Sequence, residues 1–175
     1  VRGEVTAGSE LFAGQNQDLE SEYADVAILL RLKPSDGRPR ILQFTFAGQL
    51  GYAGMNEHGV CAFNNALYNF AFQPNLTNYM LSRMMLEAKN VKEVIDVYRR
   101  HRASSAVNKV VCDGEGEIAS IEVRPEGIAL FEDDHRDWRV HTNHYLTQEF
   151  SRYNDDTLTD TTARLPRMRA LIKER

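Results

Sequence analysis

The feature that most constrains the fold is the regular alternation of short apolar stretches with clusters of turn-forming residues. Two such clusters, Pro34-Ser35-Asp36-Gly37 and Asp113-Gly114-Glu115-Gly116, each separate two stretches rich in β-branched and aliphatic residues. Stretches of this kind joined by short turns predict β-hairpins, whose strands run antiparallel. The chain is therefore expected to build its sheets mainly from antiparallel strands rather than from βαβ units.

Predicted strands and helices follow one another along the chain in a mixed order. Strands are expected at 1–6, 11–16, 22–33, 40–46, 60–67, 108–112, 117–123, 127–131 and 138–142. Apolar residues recur at three- and four-residue steps around 77–88 and 91–101, which predicts two helices, the first capped by Asn75 or Thr77. A basic helix is expected at the end of the segment 155–175. This order of elements predicts an α+β fold.

Length and charge limit the classes of protein to which the chain can belong. The 175 residues predict a single domain, 1–175, and 42% hydrophobic residues suffice for its core. A formal net charge of −4 without a basic stripe argues against nucleic acid or an anionic membrane as the partner. Apolar runs stay well below the ~20 residues of a membrane-spanning helix. A homo-oligomer is compatible with the sequence, and the two cysteines favour a reducing, cytoplasmic compartment.

Cysteines and histidines are the residues most often used for thiol or metal chemistry. Cys61 and Cys112 lie in separate apolar runs, so we expect two buried thiols that act as small hydrophobic residues. His141 and His144 are three residues apart around a predicted strand, where their side chains would leave opposite faces. With no third ligand nearby, no metal is predicted, and a metal-dependent hydrolase built on these histidines is the weakest alternative.

Several polar and glycine-bearing motifs do not fit a purely structural interpretation. In chain order they are Gly14-Gln15-Asn16-x-Asp18, Gly54-Met55-Asn56-Glu57-x-Gly59-Val60, Asn65-Ala66-Leu67, Arg102-Ala103-Ser104-Ser105, Asp113-x-x-Gly116 with Glu122 and Pro125, and His141-Thr142-Asn143-His144. Together and in this order they resemble the acyl-coenzyme A:6-aminopenicillanate acyltransferase group, the isopenicillin N acyltransferase-like cysteine peptidases, within the N-terminal-nucleophile hydrolases.

The resemblance implies a four-layer αββα sandwich, in which two mainly antiparallel sheets lie between helical layers. It also implies an enzyme that hydrolyses or transfers an acyl group at a small amide or thioester and needs no cofactor. In this group a precursor cleaves itself before a cysteine. The freed α-amine then serves as the base for the cysteine's own thiol, which attacks the carbonyl.

The resemblance also implies roles for three residues. Asp18 matches the acidic residue that orients the amino terminus of the nucleophile. Asn143 matches the asparagine whose amide helps to form the oxyanion hole, where such a donor is worth roughly 10²–10³ in rate. Asn65 matches a second polar contact near the acyl carbonyl of the substrate. Asp18 and Asn143 are expected to converge on a shared pocket.

The nucleophilic cysteine of the group should lie a few residues before Val1. Cys61 and Cys112 fall in the wrong motifs to replace it. The chain is therefore expected to be an incomplete stretch of the mature catalytic chain, which lacks a few N-terminal residues and a C-terminal part. The alternative is a non-catalytic member of the same fold that binds a small molecule.

Overall fold

The structure is a computed structural model that describes residues 1–8, 10–68, 71–133 and 135–174. Its strands are β1 (Ala27–Leu32), β2 (Ile41–Phe46), β3 (Ala53–Asn56), β4 (Cys61–Ala66), β5 (Val107–Cys112), β6 (Ile118–Arg124) and β7 (Gly127–Phe131). The α-helices are α1 (Asn78–Met85), α2 (Val91–Arg100) and α3 (Thr159–Lys173), and Ser21–Val26 and Ser151–Tyr153 are short 3₁₀ helices. Among these elements, no helix is long and apolar enough to cross a membrane.

The strands form one sheet in which each strand pairs antiparallel with the next along the chain. This confirms the predicted antiparallel pairing and, with the helices, the α+β class. α1 and α2 lie over one face of the sheet and bury their apolar sides there. Thr77 caps α1 by accepting a hydrogen bond from the Met80 amide. The core on this side includes Ile41, Val60, Ala62, Leu81, Met85, Val94, Tyr98, Val111 and Ile121.

The opposite face of the sheet is covered near β7 and open over its first strands. Ala129 of β7 is buried with Tyr145 and Phe150 from the segment that follows the sheet. Over β1 to β3, by contrast, Leu29 is 71% exposed and Met55 is 47% exposed. Of the four layers that the resemblance implies, the described residues thus form one sheet and the helical layer on one of its faces.

Two of the conspicuous motifs serve the fold itself. The Asn56 side chain is buried between the β3–β4 turn and the end of α1, where its amide donates to the carbonyls of Leu86 and Ala88. The Asp113 carboxylate accepts hydrogen bonds from amides of its own turn and from the amide of Val91, the first residue of α2. Both polar residues therefore connect a hairpin turn to a helix.

The structure differs from the predicted elements in four places. The 1–6 and 11–16 segments are not strands, although two hydrogen bonds of 2.9 Å join Val1 and Phe12, one from the Phe12 amide to the Val1 carbonyl and one from the Val1 amine to the Phe12 carbonyl. Ser9, between the two segments, lies outside the described residues. The start of the 22–33 strand is instead the 3₁₀ helix Ser21–Val26.

The other two differences concern the region after β2 and the region after β7. β3 was not among the predicted strands, and it lies in a glycine-rich stretch. A Cβ at Gly54 would lie 2.6 Å from the Leu42 carbonyl oxygen. Glycine there permits close approach within a strand. The 138–142 segment is not a strand among the described residues; its side chains instead bond to neighbouring elements, His141 to Glu122 of β6 and Thr142 to the Thr161 carbonyl of α3.

Candidate active site

The candidate site begins at an open edge of β4. β3 is short and pairs with β4 only at Cys61 and Ala62. Alternate residues of a strand direct their backbone groups to the same neighbour. Asn64 and Ala66 therefore present their backbone groups beyond the end of β3, on the side away from β5. Side chains from two of the predicted motifs form hydrogen bonds with the backbone at these two positions.

Gln15 fills the first position with its side-chain amide. Its Nε2 donates to the Asn64 carbonyl at 2.6 Å, and its Oε1 accepts from the Asn64 amide at 3.0 Å. The side chain thus bonds to β4 as the peptide group of a neighbouring strand would. Gln17 supports the arrangement by accepting a hydrogen bond from Gln15 Nε2 at 2.7 Å. The 14–18 segment is held beside β4 by this docked amide.

Asn143 fills the second position. Its Nδ2 donates to the Ala66 carbonyl at 2.8 Å, and its own carbonyl accepts from the Tyr68 amide at 3.2 Å. Its Oδ1 accepts from Arg164 Nη2 at 2.9 Å, which fixes the orientation of the side-chain amide. An amide nitrogen carries two hydrogens. Among the described residues the second N–H of Asn143 has no partner, so it is available to a ligand.

A buried carboxylate anchors the segment that carries Asn143. Glu122 of β6 accepts hydrogen bonds from His141 Nε2 at 3.0 Å, from the Thr147 hydroxyl at 2.6 Å and from the Leu146 amide. The side chains of Glu122 and His141 are 0% exposed. Burial acts to raise the pKa of Glu122, but the bonds from these partners hold it below its usual value.

His141 contacts an oxygen through each of its ring nitrogens. Nδ1 lies 2.8 Å from the Thr142 carbonyl oxygen, and Nε2 lies 3.0 Å from a Glu122 carboxylate oxygen. The ring therefore connects Glu122 of β6 to the backbone of its own segment.

The first turn of α3 fastens the same segment from the other side. Thr161 is 1% exposed, its hydroxyl accepts from the Asn143 amide at 2.6 Å, and its carbonyl accepts from the Thr142 hydroxyl at 3.1 Å. His144 Nδ1 lies 3.1 Å from the Thr161 hydroxyl oxygen. Burial, together with the neighbouring His141, lowers the pKa of His144, so this ring is neutral at pH 7.

A second buried ionisable residue supports the 14–18 side of the site. Lys109 of β5 lies opposite Asn64 in the sheet register and is 1% exposed. Its ammonium donates to Asn64 Oδ1 and, at 2.6 Å, to the Ser82 hydroxyl of α1. Burial lowers the pKa of Lys109 to about 7. The strand residue on which Gln15 docks is thus held by a lysine whose charge changes near neutral pH.

The three predicted site residues are placed differently. Asn143 has the fixed geometry described above. Asn65 is half-buried, and its Oδ1 lies 3.4 Å from the Asn108 amide nitrogen. Asp18 is exposed and, among the described residues, has no hydrogen-bond or ion-pair partner. Shallow clefts occur between α2 and β6–β7 and between β7 and 146–149, and neither Asp18 nor Asn143 lines them.

Sequence reasoning missed the residues that hold Asn143 and the 14–18 segment in place. Gln15 and Glu122 lie inside the motifs that carry the resemblance, but their positioning roles were not predicted. Thr161 and Arg164 have no signal beyond the Thr/Asp cluster before the last helix. For the metal alternative, the described ranges contain no group of three or more metal-ligating side chains.

Comparison with known proteins places the chain in a family. The curated acyl-coenzyme A:6-aminopenicillanic-acid-acyltransferase 40 kDa form of Emericella nidulans is 27% identical over 161 residues, which are 91% of this chain and 45% of that protein. The chain thus spans less than half the length of this relative.

Solved structures resemble the chain to different extents. The N-acylethanolamine-hydrolyzing acid amidase ortholog of Caenorhabditis elegans aligns with a TM-score of 0.51 at 17% identity, over 88% of this chain and 71% of that one. Penicillin V acylase from Agrobacterium tumefaciens aligns with a TM-score of 0.49 at 18% identity, over 60% of this chain and 36% of that one. The likeness to the amidase ortholog confirms the predicted N-terminal-nucleophile hydrolase fold.

The family match extends over nearly the whole chain. The sequence profile described as acyl-coenzyme A:6-aminopenicillanic acid acyl-transferase matches residues 5–175. It includes both the docked 14–18 segment and the segment that carries Asn143. The chain belongs to the acyl-coenzyme A:6-aminopenicillanic acid acyltransferase family.

Proposed function

We propose that the complete protein is a cysteine N-terminal-nucleophile amidohydrolase or acyltransferase that acts on a small amide or acyl thioester. One observation supports this most directly: Gln15 and Asn143 dock on Asn64 and Ala66, at the same edge of β4. These two strand positions are about 7 Å apart. The two motifs assigned to the nucleophile's amine and to the oxyanion are thus neighbours, although they are far apart in the sequence.

The nucleophile in this proposal is a cysteine in a part of the protein that precedes Val1. Its terminal amine takes the thiol proton, and Asp18 accepts a hydrogen bond from that amine and orients it. The sulfur attacks the carbonyl carbon, and the carbonyl oxygen becomes an oxyanion. Cys61 and Cys112 are not given this role, because both lie within strands inside the chain and neither has a free α-amine.

Asn143 stabilises the oxyanion through its second N–H. The bonds to Ala66 and Arg164 hold this donor in place before the reaction, so little reorganisation is needed as charge develops. Collapse of the intermediate returns the proton to the leaving amine or thiol and leaves an acyl-enzyme. Water then gives hydrolysis, or an acceptor amine gives acyl transfer. Asn65 contacts the acyl part of the substrate.

The name of the Emericella nidulans relative suggests the first substrates to test. An acyl-coenzyme A thioester should be consumed by the complete protein, and 6-aminopenicillanic acid should be tried as the acceptor amine. Release of coenzyme A without the acceptor measures hydrolysis, and N-acylated product measures transfer. The cytoplasmic location and the homo-oligomer stay predictions of the sequence.

Asn143→Ala in the complete protein tests the proposal. We expect kcat/KM to fall by roughly 10²–10³, because the oxyanion loses a fixed donor. Asn75→Ala is the matched control, since Asn75 also donates its side-chain amide to a backbone carbonyl, that of Ala103, away from the site. Both variants should unfold at temperatures close to that of the wild type.

Two results would contradict the proposal. An Asn143→Ala protein that is folded and as active as the Asn75→Ala control would remove the oxyanion role. A mature complete protein whose N-terminal residue, determined by intact mass and N-terminal sequencing, is not a cysteine would favour the non-catalytic binding member instead.

A further inference from the structure

The two cysteines are far apart in the sequence but directly opposed in the sheet. Cys61 begins β4, Cys112 ends β5, and the two are register partners. Opposed residues of an antiparallel pair send their side chains to the same face, with Cβ atoms about 4.5–5.5 Å apart. A disulfide needs Cα atoms about 4.4–6.8 Å apart and Cβ atoms about 3.5–4.5 Å apart. The pair is therefore within a small local adjustment of disulfide geometry.

The two cysteines differ in exposure. Cys61 is half-buried, whereas Cys112 is 3% exposed. Cys61 is therefore the more accessible residue of the pair, and its register partner Cys112 lies on the same face of the sheet.

The backbone next to the pair is held closely in place. The β3–β4 turn packs on the β5–β6 turn, where the Gly114 amide donates to the His58 carbonyl at 3.2 Å. A Cβ at Gly59 would lie 2.7 Å from Gly114 Cα, so glycine is needed for this approach. The two strand ends that carry the cysteines therefore have little freedom to separate.

We propose that Cys61 and Cys112 form a modification site at which a low-molecular-weight disulfide converts two thiols into a cross-strand disulfide. The Cys61 thiolate attacks one sulfur of the disulfide R–S–S–R, which forms Cys61–S–S–R and releases RS⁻. The Cys112 thiolate then attacks the Cys61 sulfur, forms the Cys61–Cys112 bond and releases the second RS⁻. The two thiol protons end on the two released thiols, so the protein is oxidised and R–S–S–R is reduced.

The electrostatics of the pair act on the first step. Interaction with Cys112, followed by burial, raises the pKa of Cys61, so the attack of Cys61 on the added disulfide is the slower of the two steps. This site is separate from the docked edge of β4 beyond Asn64, and the proposal does not depend on the proposed function.

The test is to equilibrate the complete folded protein in buffers with increasing ratios of oxidised to reduced glutathione. Peptide mapping under non-reducing conditions then reports the state of each cysteine, whatever other thiols the complete protein contains. We expect a peptide linked through Cys61 and Cys112, lighter by two hydrogens than its reduced components, to accumulate and to disappear on addition of dithiothreitol. Persistent glutathione on Cys61 in the wild type, or two free thiols at every ratio, would overturn the proposal.

Single serine variants separate the two roles. Cys112→Ser lacks the resolving thiol, so it should retain one glutathionyl group on Cys61. Cys61→Ser should leave Cys112 unmodified, because Cys112 is buried. If Cys112→Ser instead stays free of glutathione, the access route through Cys61 is wrong. Thermal unfolding checks that each variant is folded, and if either fails to fold, the wild-type mapping decides the proposal.

Discussion

The 14–18 segment and the 141–147 segment reach the same edge of β4 but are held there in different ways. Gln15 docks the first segment through one side-chain amide, and Asp18 extends from it into solvent. The second segment is bonded along its length to Glu122 of β6 and to Thr161 of α3. The oxyanion side of the proposed site is therefore preorganised, whereas the carboxylate side is free to adjust to the group that it binds.

Each segment nevertheless depends on a buried ionisable residue of the central sheet. Glu122 holds the 141–147 segment directly, and Lys109 holds Asn64, the docking point of Gln15. The pKa of Glu122 lies below its usual 4.5, so the stability it provides is present above that value and is lost as the pH falls through the folded-state pKa. Lys109 instead changes charge near neutral pH. The two anchors can thus be disturbed separately.

The largest expected effect comes from removing the acidic anchor. Glu122→Ala removes the acceptor that His141, Leu146 and Thr147 share and leaves these donors buried without a partner. An unsatisfied buried group costs roughly 1–3 kcal/mol, so the three together should cost about 4 kcal/mol. Urea unfolding should show this loss, and hydrogen exchange should show fast exchange of the Leu146 and Thr147 amides.

Asp96→Ala is the matched control for the acidic anchor. The Asp96 carboxylate pairs with a cation, Arg99, but the two side chains are 40% and 59% exposed. An exposed pair contributes less than about 1 kcal/mol. Equal losses for Glu122→Ala and Asp96→Ala would show that the 141–147 segment does not depend on the buried carboxylate.

The second prediction concerns the basic anchor and its pH dependence. Burial lowers the pKa of Lys109 from 10.5 to about 7, so the unfolded chain binds more protons than the folded chain between these values. Stability then rises with pH across this window. The unfolding free energy of the wild type minus that of Lys109→Met should therefore increase by about 2 kcal/mol between pH 7 and pH 9.

Lys92→Met is the control for this titration, because Lys92 is an exposed lysine of α2. Its difference from the wild type should stay constant over the same range. A Lys109→Met difference that is equally flat in urea unfolding at several pH values would mean that the buried ammonium does not lose its proton on folding.

The sequence predicted most of the sheet and all three α-helices, because hairpin turns, caps and apolar periodicity are local signals. β2, β4 and β5 lie close to their predicted bounds. The sequence did not predict those elements whose structure depends on tertiary contacts. The strand β3 around Gly54 was not predicted, and His141, whose ring bonds to Glu122, lies outside any described strand.

The site could be predicted as a set of motifs but not as an arrangement. The motifs indicated Asn143. The orientation of its side-chain amide, however, depends on Arg164, and Arg164 lies in none of the motifs. The sequence separation of Cys61 and Cys112 gave no indication that they are register partners. Such pairings follow from sheet register, which a single sequence does not determine at long range.

The smallest expected effect comes from undocking the 14–18 segment, where the two sides of the site differ most. Gln15→Ala removes two partly exposed hydrogen bonds to Asn64, so it should cost only about 1 kcal/mol in urea unfolding. The local effect should be larger: the Asn64 amide should exchange faster while the Leu146 amide is unchanged. Gln148→Ala, an exposed glutamine beside the other segment, should change neither amide. If Gln15→Ala sped up exchange at Leu146 as well, the two segments would be coupled through β4, and the site would be one preorganised unit instead of a fixed half and an adjustable half.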